Sequence, residues 1–117
     1  MAVASGRAGA PAEFLLIETR AAATVDGAGF SQDALLQAQA GHNVLLLLIQ
    51  DGVTLAMPGR SAEVEALIAT GARVLADGFS LAQRGLERSA LLPGTEVTEL
   101  AAVADALLDP AVKVVWH

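Results

Sequence analysis

Residues 72–86, Ala-Arg-Val-Leu-Ala-Asp-Gly-Phe-Ser-Leu-Ala-Gln-Arg-Gly-Leu, decide the fold of this 117-residue chain. The apolar run from Arg73 to Ala76 predicts a buried strand, and Asp77-Gly78 predicts a turn that leads directly into a helix. Ser80-Leu81-Ala82-Gln83 fits a capping box at the start of that helix, and Gly85 is expected to end it. A strand joined to a helix in this way is the repeating unit of a parallel α/β sheet, which places its ligands at the carboxyl ends of its strands.

The same alternation of strand and helix continues along the rest of the chain. Further strands are expected at residues 14–19, 44–50, 94–97 and 112–116, and most of these runs lack the alternation of a half-exposed strand. One helix is expected because apolar residues from Phe30 to Ala38 share one face, with Ser31 as its cap and Gly41 at its end. Others are expected from Ser61 to Gly71 and from Leu100 to Leu108, before Asp109-Pro110. The pattern predicts a parallel or mostly parallel sheet between two helix layers.

Length and composition predict one domain, over residues 13–117, preceded by a flexible Gly- and Ala-rich segment over residues 1–12. The chain is 54% hydrophobic but only 3% aromatic, so its core is expected to be aliphatic. Its mean hydropathy of +0.53 is high for so small a domain. Because a small domain has much surface for its volume, this apolar surplus predicts that another chain covers part of it, in a homo-oligomer or a complex.

Several classes of function are disfavoured by composition. The net charge of −6 and the pI near 4.6 argue against nucleic-acid binding. The longest aliphatic run, Val44 to Ile49, is too short to span a membrane, and the first twelve residues lack a secretory signal, so we expect a cytoplasmic protein. No cysteine is present, which excludes disulfides, thiolate metal sites and a cysteine nucleophile. Two histidines predict no metal cluster, Gly27-Ala28-Gly29 fails the dinucleotide fingerprint, and no cofactor is expected.

Candidate site residues follow the strands, because the carboxyl ends of parallel strands meet at one edge. If the strands before Asp51 and Asp77 are neighbours, these carboxylates would lie close enough to form an acid/base pair. The more common alternative is that each aspartate bonds to its own turn. Arg60, before the helix start at Ser61, and Arg84 would orient an anionic ligand, although Arg84 also suits the negative end of a helix. The residues that follow the strands are Thr19, Arg20, Asp51, Gly52, Val53, Asp77, Gly78 and Phe79.

The other polar candidates are weaker. His42 is expected to cap or to lie on the surface at the opposite edge of the sheet, and Ser80 is explained as a helix cap because no histidine accompanies it in sequence. Phe79 and Met57 would line a pocket or pack in the core.

The order of segments resembles the DsrE/DsrF/DsrH-like family of sulfur-relay proteins. The resemblance runs from Phe14 to the last residue, and it rests on Gly41-His42-Asn43-Val44, on Asp51-Gly52-Val53 after a strand, and on a short helix that ends Arg84-Gly85-Leu86. It implies a flavodoxin-like three-layer αβα fold with a mostly parallel five-stranded sheet. It also implies homo- or hetero-oligomers, such as trimers and hexamers, with partner subunits of the same family.

Catalytic members of that family carry a persulfide on a cysteine just before the short helix, at or beside Asp77 in this sequence. A carboxylate cannot carry a persulfide, so this chain is expected to lack sulfur-carrier activity. The resemblance then implies a non-thiol subunit that serves as scaffold, partner or ligand-binding component, linked to sulfur metabolism. The competing hypothesis is a small enzyme or anionic-ligand-binding protein that uses Asp51 and Asp77, and whether the chain is an enzyme stays open.

Overall fold

The structure is a computed structural model, which describes residues 5–7, 10–21 and 25–117. Its centre is a five-stranded sheet in the order β6-β5-β4-β3-β7, in which every neighbouring pair is parallel. The strands are β1 (Ser5–Arg7), β2 (Ala10–Pro11), β3 (Phe14–Glu18), β4 (Val44–Leu48), β5 (Arg73–Asp77), β6 (Thr95–Thr98) and β7 (Lys113–Trp116). All five strands predicted from the sequence are therefore present, with ends shifted by one or two residues.

The central strands are apolar on both faces, and the structure buries both. Every residue of β4 is buried, and alternate residues of this strand belong to two separate core clusters. Leu46 and Leu48 face one side of the sheet, whereas Leu45 and Leu47 face the other. A strand buried on both sides needs a continuous apolar run, which is why the run of leucines predicted it correctly.

Helices cover both faces and complete the three layers. The helices are α1 (Val25–Gln39), α2 (Ala62–Ala69), α3 (Gly78–Gln83) and α4 (Ala104–Leu108). Residues of α1, α2 and α3 share the core with Leu46, and small residues such as Ala34 and Ala38 let α1 approach the sheet closely. On the other face, Val103 and Ala106 from the segment that includes α4 pack with Leu45 and Leu47. The fold is thus three-layer α/β with an all-parallel five-stranded sheet.

The order of the strands fixes where the sheet has its crevice. The chain adds β4, β5 and β6 on one side of β3, and then returns through α4 to place β7 on the other side. Parallel α/β sheets bind ligands at the carboxyl ends of strands where the order reverses in this way. Here that point lies between β3 and β7.

Two predicted helix starts are wrong. The first helix begins at Val25, so Ser31 lies inside it. Ser31 is buried, and its hydroxyl has no hydrogen-bond partner among the described residues. The helix continues through Gly27-Ala28-Gly29, because glycine weakens a helix by only about 1 kcal/mol and packing of the apolar face outweighs this. The third helix begins at Gly78 with Asp77 as its cap, and Ser80 is not the N-cap.

The segment after β4 also differs from the prediction. The strand ends at Leu48, and Gln50–Ala56 forms a 3-10 helix where a loop was expected. The last predicted helix is divided into a 3-10 turn, Leu100–Val103, and the short α4. By contrast, Ser61 caps α2 as predicted, because its hydroxyl accepts the backbone N–H of Val64 at 3.1 Å.

The N-terminal segment is described only in part. Flexibility of residues 1–12 stays a prediction, and residues 1–4 and 8–9 lie outside the described residues. Of the described part, β1 and β2 pair as an antiparallel hairpin, and Ala12 is buried with the core residues of the α4 face. Within the ranges that the structure describes, no helix has the length and apolar character needed to cross a membrane.

Candidate functional site at the carboxyl edge of the sheet

Asp77 ends β5 and caps α3. Its Oδ2 accepts the backbone N–H of Ser80 at 3.0 Å and the hydroxyl of Ser80 at 2.7 Å, and the residue is only 4% exposed. A carboxylate at an N-cap satisfies a free amide and interacts favourably with the positive end of the helix. The geometry therefore supports the structural interpretation of Asp77, in which it bonds to the turn after its own strand.

Ser80 connects the ends of two neighbouring strands. Its hydroxyl donates to Asp77 and accepts the backbone N–H of Gln50 at 2.8 Å. Gln50 begins the 3-10 helix after β4 with a left-handed φ of 52°, which residues other than glycine rarely adopt. The hydrogen bonds from Gln50 to Ser80 and from Ser80 to Asp77 thus hold the segment after β4 against the start of α3.

Asp51 and Arg84 form an ion pair at the same edge. The Oδ1 of Asp51 accepts from Nη2 of Arg84 at 2.8 Å and from Nε at 3.1 Å. Arg84 also donates to the backbone carbonyl of Ser80 at 3.0 Å, as expected for an arginine at the end of a helix. Each aspartate is bound by a different group, and Asp51 is exposed where Asp77 is buried. The strands that precede the two aspartates are neighbours, and among the hydrogen bonds of the described residues none joins the two carboxylates.

A groove of about 460 Å³ lies beside Asp77. Its lining comprises Asp77, Gly78, Phe79, Glu99 and Leu100. Phe79 is 69% exposed and Leu100 is 47% exposed, so the walls present apolar side chains to solvent. The charged side chains in the lining are both acidic, which disfavours an anion in this groove. Arg60, expected to orient an anion, is exposed in the turn after the 3-10 helix and is not part of this lining.

A buried carboxylate and a histidine meet at the crevice between β3 and β7. Glu18, the last residue of β3, is 0% exposed, and its two carboxylate oxygens lie 3.0 and 2.8 Å from Nδ1 of His117. The ring of His117 stacks on Phe30 of α1, with centroids 5.0 Å apart. No sequence pattern predicted this pair. The available signal was an acidic residue at the carboxyl end of an apolar strand and a histidine directly after another strand.

Gly52 lies against the backbone of Glu18. A Cβ at this position would overlap the carbonyl oxygen of Glu18, which also accepts the N–H of Ile49 at 3.0 Å. Only glycine permits this close approach of two chain segments. Gly52, predicted as a ligand-binding residue, therefore has a packing role that supports the Glu18 end of β3.

His42 lies at the opposite edge of the sheet, on the surface, as expected. Its Nδ1 is 3.3 Å from Glu13, whose other oxygen accepts the backbone N–H of Asn43 at 2.8 Å. The hydrogen bond from Asn43 and then the hydrogen bond with His42 lower the pKa of Glu13 from its ordinary value of 4.5.

The lowered pKa of Glu13 predicts a stability that depends on pH. A carboxyl whose folded pKa is depressed stabilises the protein fully above its unfolded pKa, near 4.5, and loses this contribution as pH falls through the folded value. The variant Glu13→Gln should therefore be less stable than the wild type at neutral pH, and the difference should shrink as pH falls below 4.5. Urea unfolding at neutral pH and at acidic pH measures it. A difference that is the same at both pH values would contradict this assignment.

Solved structures resemble this chain, although no family model and no curated protein matches its sequence. The ychN protein of E. coli aligns with a TM-score of 0.77 and 19% identity, over 91% of this chain and 99% of that one. MTH1491 of Methanobacterium thermoautotrophicum, a protein of unknown function, aligns with a TM-score of 0.71 and 13% identity, over 89% of this chain and 98% of that one. The fold is flavodoxin-like α/β with an all-parallel five-stranded sheet. At these identities the similarity concerns the fold alone.

Proposed function

We propose that this chain is a cysteine-free DsrE-like subunit that acts by binding other subunits or a ligand and not by carrying sulfur. The observation that carries the proposal is the position of Asp77. It directly precedes the short helix α3, where the resembled family places its thiol, and both of its bonds to Ser80 are structural. The chain contains no cysteine that could take over the role. We place such a subunit in the cytoplasm, in association with sulfur metabolism.

We further propose that the protein is a homo-oligomer, such as a trimer or hexamer, or assembles with related subunits. Its support is the apolar surface. Phe79 and Leu100 line the groove next to Asp77 and are exposed, so a neighbouring subunit that covers the groove would remove both from water. Further exposed apolar side chains are Leu36, Leu108, Val115 and Trp116.

Light scattering coupled to size-exclusion chromatography tests the oligomer. At micromolar concentration the wild type is expected to elute with the mass of several subunits, and Phe79→Ser is expected to lower that mass because it removes the largest exposed side chain of the groove. The matched control is Leu108→Ser, which changes an exposed leucine on α4. A wild type of monomeric mass would refute the homo-oligomer, and equal effects of the two variants would refute the groove as the contact.

A second candidate function is an enzyme or ligand-binding protein that uses the carboxyl edge near Asp51 and Asp77. The observation in its favour is the open groove beside Asp77. Against it stand the hydrogen bonds that already engage both carboxylates and the acidic lining, which does not suit the anionic ligand of that hypothesis. The Asp77 variants discussed below separate the two functions.

A further inference from the structure

Glu18 and His117 form a dyad in which the carboxylate holds the imidazole ring in a fixed position. Oε1 of Glu18 also accepts the backbone N–H of Arg20 at 2.9 Å, so the buried carboxylate has donors on two sides. The backbone of His117 is fixed as well, because its N–H donates to Ile17 and its carbonyl accepts the hydroxyl of Thr19 at 2.8 Å. Strand pairing and the stack on Phe30 therefore hold both partners of this dyad in place.

The carboxylate determines which ring nitrogen of His117 carries a proton. A carboxylate acceptor at Nδ1 requires a hydrogen there, so in the neutral ring the lone pair lies on Nε2. Among the described residues, Nε2 has no hydrogen-bond partner, and the His117 side chain keeps 22% of its surface exposed. An imidazole fixed by a carboxylate on one nitrogen and open on the other is the arrangement of a hydrogen-bond or proton acceptor. No third metal-ligating side chain joins it within the described residues, so we do not assign it to a metal.

A groove lies beside β7, and one of its lining residues, Phe30, contacts the ring of His117. It has a volume of about 350 Å³, in the range of small-molecule sites, and is lined by Phe14, Leu16, Phe30, Asp33, Gln37 and Val115. Phe30 belongs both to the groove and to the stack on His117. Val115 precedes His117 by two residues, and the backbone of His117 continues the pairing of β7 with β3. Both side chains therefore lie on the same face of the sheet, with their Cα atoms about 6.6 Å apart along the chain.

The charged side chains near the groove favour a cationic ligand. The apolar floor is bordered by the carboxylate of Asp33 and by the amide of Gln37, and no lysine or arginine among the described residues contributes to the lining. The buried Glu18 lies at the end of β3. We propose that this groove binds a small organic amine, whose apolar body lies on Val115 and Phe30 and whose ammonium donates a hydrogen bond to Nε2 of His117. Glu18 is a positioning residue, since it acts on the ligand through the ring that it orients.

Nuclear magnetic resonance of the two histidines tests this site with benzylamine and benzoate as probes. These molecules share a ring and differ in the charge of the polar end. At a pH where the ¹⁵N shifts show a neutral His117 ring, the shifts should report hydrogen on Nδ1. Benzylamine should then change the shifts of His117 and bind at least about tenfold more tightly than benzoate, since the carboxylate of benzoate would be repelled by Asp33 and Glu18.

Variants identify the residues responsible. His117→Gln should weaken benzylamine binding about tenfold, whereas His42→Gln, which removes the other histidine and its carboxylate pairing, should leave it unchanged. Glu18→Gln should move hydrogen from Nδ1 to Nε2 in part of the molecules, a change that a purely structural role would not produce. Equal binding of benzoate, a ring with hydrogen on Nε2 in the wild type, or benzylamine binding that survives His117→Gln would each overturn the proposal. The wild-type measurements decide even if Glu18→Gln does not fold.

Discussion

Gly52→Ala is expected to lower the free energy of unfolding by about 3 kcal/mol, because the added methyl group has no space. A Cβ at this position would overlap the carbonyl oxygen of Glu18 and lie 2.9 Å from its carbonyl carbon. Both atoms belong to the backbone of β3, which is held by β4 and β7 on its two sides, so neither can move cheaply. Urea unfolding followed by circular dichroism measures the loss.

Gly29→Ala is the matched control for Gly52→Ala. Gly29 lies within α1, and a Cβ there would meet nothing within 4 Å. Alanine suits a helix interior better than glycine, so this variant should raise stability by about 0.5–1 kcal/mol. A Gly52→Ala protein as stable as the wild type would mean that the segment after β4 does not approach Glu18 as closely as the structure places it.

A substitution at Gly52 should also disturb the Glu18–His117 pair. Any displacement of the Glu18 backbone that relieves the overlap also moves the carboxylate that lies 2.8 Å from His117. Gly52 therefore connects the segment after β4, which was predicted as part of a site, with the Glu18–His117 pair, which was not predicted. In sequence, an Asp-Gly pair is explained by the turn that it forms. The reason that position 52 excludes a side chain is its contact with β3, which the sequence does not show.

The layers of the fold were predictable because burial leaves a direct mark on sequence. Residues 44–48 and 74–76 are all apolar, and a strand without a polar face is expected inside a parallel sheet. The order of the strands left no such mark. The placement of β7 beside β3 depends on a crossover past the whole sheet, and apolar periodicity does not report which strands become neighbours.

The candidate site was predictable only where its contacts are local. Asp77 was correctly placed at a strand end, but the cap was assigned to Ser80, because Asp-Gly-Phe-Ser offers two good capping side chains and the exact end of β5 decides between them. From the sequence, Glu18 was expected only as a residue within the strand 14–19. Its meaning comes from His117, 99 residues away, and no local pattern encodes a contact of that range.

Asp77→Ala is expected to destabilise the protein by about 2 kcal/mol. The change removes the cap of α3 and leaves the buried Ser80 without the acceptor for its hydroxyl and its backbone N–H. Ser80 also accepts from the strained Gln50, so the loop after β4 should loosen together with α3. Thermal or urea unfolding measures the loss, and hydrogen exchange at residues 50–56 and 78–83 locates it.

Asp77→Asn and Asp51→Asn separate a structural role of Asp77 from an acid/base role. Asparagine keeps an oxygen that accepts hydrogen bonds from Ser80, so Asp77→Asn should retain most of the stability lost in Asp77→Ala. Asp51→Asn removes an exposed ion pair with Arg84 and should change stability by less than about 0.5 kcal/mol. Asparagine cannot exchange a proton as a carboxyl group does. A folded Asp77→Asn protein that keeps its oligomeric state and its partners would therefore support the role of Asp77 as a cap in a non-thiol subunit. Loss of a ligand-dependent activity in that folded variant would instead favour the enzyme hypothesis.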